Sequence, residues 1–172
     1  MLESATVSLD DMRGCLGSLL FLWADIEREL REQVARQAKT FPRSAHGIAG
    51  CLRCWRSGIL DTNDVGRFRG ELVNSLIQQL QDALTMRNGL CHGLTGYSSG
   101  SERSAQLVWR LDGHEGHVSY REMQELFRWL ARIPDALSAL SRPSVEGRFD
   151  RCVDTGENRR WWQTEFGLAV SD

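Results

Sequence analysis

Near the N-terminus the apolar residues Met12, Leu16, Leu19, Trp23, Ile26, Leu30 and Val34 recur at steps of four, three, four, three, four and four. This is the helical period, and it predicts one long helix over residues 8–38 with a single apolar stripe. Ser8 followed by Asp11 forms a capping box at its start, after a loose tail over residues 1–7. The opposite side carries Asp25, Glu29, Glu32 and Arg36 as a solvated face. Gly14 and Gly17 either weaken the first turns or allow another helix to approach closely.

A broken stretch follows, rich in Gly, Pro, Ser, Asp and Asn, with room for a short helix over residues 48–56. The helical period returns in Phe68, Leu72, Leu76, Leu80, Ala83 and Leu84, which predicts a second long helix over residues 65–87, capped by Asp64. Gly89, Gly93 and Gly96 are expected to break or reshape it around His92. Residues 97–104 read as a surface loop. Alternation over residues 106–111 predicts a strand, turned back by residues 112–116 toward residues 117–120 as a small hairpin.

Ser119 and Glu122 make a second capping box for a helix packed through Met123, Leu126, Phe127, Leu130 and Ile133, interrupted at Pro134 and resumed over residues 136–140. Beyond Pro143 the pattern is short and mixed, with Val145, Phe149 and the pair Trp161-Trp162. The expected fold class is therefore all-α: a bundle with two long antiparallel helices, further shorter helices and a β-hairpin insertion. Its domain spans residues 8–142, and residues 143–172 form an extension packed on it.

Composition changes this picture little. A chain of 172 residues is expected to fold as one domain around one core. No run has the length of a membrane-spanning helix, and the apolar stretch at residues 16–26 contains Gly17, Ser18 and Asp25 and is preceded by acidic residues, so neither a membrane partner nor a signal peptide is expected. A net charge of -2 offers no global attraction to a polyanion, although Lys39 is the single lysine and the remaining cations are arginines, suited to bidentate phosphate contacts or merely reflecting coding bias. The five cysteines are an odd, unevenly spaced set, expected to be reduced thiols in a cytoplasmic protein. Cys51 and Cys54 find only His46 as a third ligand nearby, and His114 with His117 reads as a polar turn. No metal or cofactor is expected.

The candidate chemistry lies in Arg87-Asn88-Gly89-Leu90-Cys91-His92. On an ideal helix Arg87 and His92 are about 140° apart, while Asn88 and His92 are about 40° apart, so the amide could orient the imidazole and the guanidinium could reach another part of one bound group. Read without further context, His92 caps a helix C-terminus and Arg87 pairs with Asp82 or another carboxylate.

These residues, at the end of a long helix, resemble the arginine-to-histidine motif of the HEPN superfamily, including the polar residue directly after the arginine. The order of helices also resembles that family. The resemblance implies a metal-independent endoribonuclease in which His92 is general acid or base, Arg87 binds phosphate and Asn88 orients. It further implies an RNA substrate, a homodimer that joins two motifs, and a toxin or defence role with an antitoxin or regulatory protein as partner. In members controlled by tyrosine modification, a tyrosine stands two residues beyond the histidine; here that position is Leu94, and Tyr97 follows later. The alternatives are a non-catalytic RNA- or nucleotide-binding relative and a helical protein-interaction scaffold.

Overall fold

The computed structural model describes residues 6–38, 41–62, 66–143 and 150–170. Among them run α1 (Leu9–Gln37), α2 (Gly47–Leu60), α3 (Arg67–His92), β1 (Leu94–Ser98), β2 (Gln106–Leu111), β3 (His114–Ser119), α4 (Tyr120–Leu130), α5 (Ile133–Ser141) and α6 (Gly156–Phe166). The fold is mixed, which corrects the all-α expectation: a three-stranded antiparallel sheet in the order β1-β2-β3 replaces the isolated hairpin. The residues expected to be a loop at Tyr97 and Ser98 belong to β1, where they pair with Leu107 and Gln106. Residue-residue contacts group the chain into two compact units, Met1–Trp23 with Leu80–Leu130 and Ala24–Gln79 with Ala131–Asp172.

In the first unit, Met12, Leu19 and Trp23 of α1 are buried, as the stripe predicts. Val7 is also buried, so the end of the expected loose tail is held: its N–H donates to the Gly100 carbonyl at 3.0 Å, and Tyr97 Oη donates to the Val7 carbonyl at 3.0 Å. The β2–β3 turn is tighter than expected and needs only Asp112 and Gly113, both at positive φ (52° and 78°), the backbone a two-residue hairpin requires. Alternation sends Leu107, Trp109 and Val118 inward and Arg110, Glu115 and His117 outward.

Both capping boxes form. Asp11 N–H donates to Ser8 Oγ at 3.1 Å and Ser8 N–H returns to Asp11 Oδ2 at 2.8 Å; at α4, Glu122 N–H donates to Ser119 Oγ at 3.2 Å and Ser119 N–H to Glu122 Oε2 at 2.7 Å. The Ser119 backbone bond, then its hydroxyl, holds the Glu122 carboxyl below its ordinary value of 4.5. A carboxyl depressed on folding stabilises the native state above 4.5 and loses that contribution as pH falls through the lower native value. Ser119→Ala is therefore expected to lower stability by about 1 kcal/mol at neutral pH, with the gap to wild type narrowing in acid. Thermal melts of both proteins from neutral pH to pH ~3 check this; a gap independent of pH would refute it.

In the second unit, α2 runs longer than its expected span, burying Cys51, Leu52, Trp55 and Ile59. Trp55 Nε1 donates to Ser141 Oγ of α5 at 2.8 Å. The helix is interrupted before Pro134, as expected, and Pro134 stands in the first turn of α5, where its missing N–H leaves no helical hydrogen bond unmade. The described part of the C-terminal extension contains α6: Thr155 Oγ1 accepts from Asn158 N–H at 3.1 Å, and Gly167 closes the helix at φ 69°. Trp162 is fully buried and its Nε1 donates to the Arg151 carbonyl at 2.7 Å, while Arg69 Nη2 of α3 donates to Asp150 Oδ2 at 3.0 Å. The expected cap Asp64, and Val145 and Phe149, lie outside the described residues.

Candidate functional site

The helix expected to end at Arg87 continues to His92 as the last turns of α3, because Gly89 is used for close packing and does not stop the helix. A Cβ at Gly89 would run into the Trp109 indole, and one at Gly116 would meet the same ring from β3. Trp109 thus lies between two glycines, where only hydrogen leaves room for it. Gly93 then makes the whole connection to β1, and its carbonyl accepts the Arg110 N–H at 2.8 Å.

This packing decides which side of the helix end faces outward. Taking Arg87 as reference, Cys91, Asn88 and His92 follow at about 40°, 100° and 140°, whereas Gly89 and Leu90 fall in the remaining sector. Gly89 and Leu90 are buried, Arg87 and Asn88 are half-buried, and Cys91 and His92 are exposed. The three candidate residues therefore share one outward arc.

Their connections differ from the expected ones. Arg87 Nη1 donates to Asn88 Oδ1 at 2.9 Å, so the amide positions the guanidinium and not the imidazole. Among the described residues, no hydrogen bond joins Asn88 to His92, and no carboxylate pairs with Arg87, Asp82 included. The C-terminal end of a helix is its negative pole and disfavours an anion by itself. An anion held here would depend on the Arg87 charge.

The remaining candidates separate. His114 and His117 project to opposite faces of β3, being an odd number of residues apart, and no group of three metal-ligating side chains occurs among the described residues. All five cysteines are free; burial pushes the Cys152 thiol up to about 11. Trp109 and Trp162 are buried, and Trp161 is half-buried edge-on to Trp162 at 4.9 Å, beneath the Arg151 guanidinium at 4.8 Å. The neighbour that sequence reasoning missed is Arg110, whose backbone is tied to the residue after His92 and whose side chain pairs with Glu115. Strand pairing alone brings it there, and no local signal marks it.

No helix among the described residues is long and apolar enough to cross a membrane. Comparison of the chain with protein-family models, with curated proteins and with solved structures finds no match.

Proposed function

We propose that this chain acts on RNA as a metal-independent endoribonuclease of the HEPN kind, with Arg87, Asn88 and His92 forming half of a site that a second copy completes. One observation carries the reading: the Arg87 guanidinium is steadied by a neutral amide, without a carboxylate partner among the described residues, on the same outward arc as an exposed imidazole. A fixed, unneutralised guanidinium suits a phosphate oxygen, and imidazoles as a class exchange protons near neutral pH.

The reaction is transesterification. The ribose 2'-oxygen attacks the adjacent phosphorus, the bond from phosphorus to the 5'-oxygen breaks, and the guanidinium stabilises the added negative charge. One imidazole accepts the 2'-hydroxyl proton, and the imidazole of the second copy supplies a proton to the leaving 5'-oxygen. The products are a 2',3'-cyclic phosphate and a 5'-hydroxyl.

Incubation of the purified chain with end-labelled RNA in EDTA, followed by analysis of the new termini, tests the proposal. Cleavage that persists in EDTA and leaves those two ends is the expected result; 3'-hydroxyl and 5'-phosphate ends would refute the mechanism. A second reading, RNA binding without cleavage, is favoured by the lack of any hydrogen bond from Asn88 to His92 among the described residues. It predicts salt-dependent RNA binding with no new termini.

A further inference from the structure

The outward face of α1 carries the most exposed large apolar side chain among the described residues. Phe21 is 78% exposed on it. One turn before Phe21 stands Gly17, and Gly14 precedes that; a Cβ on either glycine would meet nothing within 4 Å. A bulky aromatic knob therefore stands beside a shallow notch on one unbroken helix, and none of the described residues fills either. A surface of this kind accepts a partner carrying the complementary knob and notch, and a second copy of α1 carries both.

The charges repeat the same symmetry. Asp10 lies seven residues before Gly17, and Arg28 lies seven residues after Phe21. Seven residues make about two turns and return to the same face, so Asp10, Gly17, Phe21 and Arg28 form one outward line. Gly14 and Ala24 lie three residues outside Gly17 and Phe21 in the same way. If two such helices meet antiparallel about a two-fold axis midway between Gly17 and Phe21, each Phe21 faces Gly17 of the partner subunit and each Asp10 faces Arg28 of the partner subunit. Both charged residues are open to this, with side chains 86% and 68% exposed. Within α1 they bond only locally, Arg13 to Asp10 at 3.0 Å and Arg28 to Asp25 at 2.9 Å, which leaves alternating signs at both ends. A parallel pairing would set Asp10 beside Asp10 and Arg28 beside Arg28, so the charge order selects the antiparallel one.

We infer that the outward face of α1 is a self-association surface on which a second copy docks antiparallel, Phe21 seating over Gly17 and Asp10 meeting Arg28. The inference stands on α1 alone and does not rest on the RNA reading. One helix face covers less than the roughly 800 Å² per partner of a standard interface, so the dimer belongs to the class that dissociates on dilution.

Sedimentation equilibrium over a dilution series tests it, with circular dichroism melts confirming that each exposed substitution leaves the fold intact. The wild type is expected to associate reversibly. Phe21→Glu, which acts twice in a two-fold interface, is expected to weaken association by about 100-fold. Asp10→Arg and Arg28→Asp are each expected to weaken it by about 10-fold, and combining them in one chain restores it, because the exchanged charges meet again. A wild type that stays monomeric throughout, or a dimer unmoved by Phe21→Glu and by both single reversals, overturns the inference. Loss of self-association with EDTA-resistant RNA cleavage unchanged would support this surface while removing the need for its dimer in the nuclease reading.

Discussion

His92→Ala is expected to reduce RNA cleavage by about 10²- to 10⁴-fold, the usual contribution of a positioned general acid or base, with little change in stability because the side chain is exposed. Single-turnover cleavage in EDTA at saturating protein isolates the chemical step from binding. Arg87→Ala should differ in kind, reducing the chemical step and also weakening RNA binding, since the guanidinium serves bound and reacting phosphate alike. Arg87→Lys keeps the charge but loses the fork and the bond to Asn88, and is expected to recover binding better than rate. Unchanged cleavage by His92→Ala would end the role assigned to His92.

The second large effect concerns stability. Gly89→Ala replaces a helical glycine by the best helix former, a change that on an open face would gain about 1 kcal/mol. Here the added methyl enters the space of the Trp109 indole, and the net result is expected to be a loss of about 1–3 kcal/mol, rising further for Gly89→Val. Urea denaturation reads this as a lower midpoint at unchanged slope. Trp109→Leu in the same chain should relieve part of the clash, so the double variant is expected to lose less than the sum of the two singles. A rise in stability for Gly89→Ala would mean that the indole moves freely and that the glycine only weakens the helix.

The same glycine shows where the sequence could be read and where it could not. The stripes of α1 and α3, both capping boxes and the β2–β3 hairpin follow from spacings of a few residues, and all of them form. Gly89 looked like a helix end because glycine usually weakens helices; its actual use depends on Trp109, which arrives from a distant strand and leaves no mark near Gly89. β1 was hidden for a related reason. Gly96 and the serine-rich run after Tyr97 read locally as a break and a loop, and pairing with β2 overrides that weak preference, turning the expected all-α bundle into a mixed fold. In α6, neither the cap Thr155 nor the core role of Trp162 was marked by the short, mixed pattern; Trp162 is recognisable as core only through the Arg151 carbonyl that folds back to accept its Nε1–H. At the candidate site the shared arc of Arg87, Asn88 and His92 is simple helix geometry, whereas the bond from Arg87 to its neighbour Asn88 is a rotamer choice that residue spacing does not encode.

The single-residue join at Gly93 bears on how much order a ligand must impose. α3 ends at His92 and β1 begins at Leu94, so the backbone beneath the imidazole is anchored on one side by helical hydrogen bonds and on the other by the Arg110 N–H. Fixing a mobile residue's backbone costs about 1–2 kcal/mol, and here folding has already met that cost. Only the side-chain rotamers of His92 are left to settle when a bound group arrives.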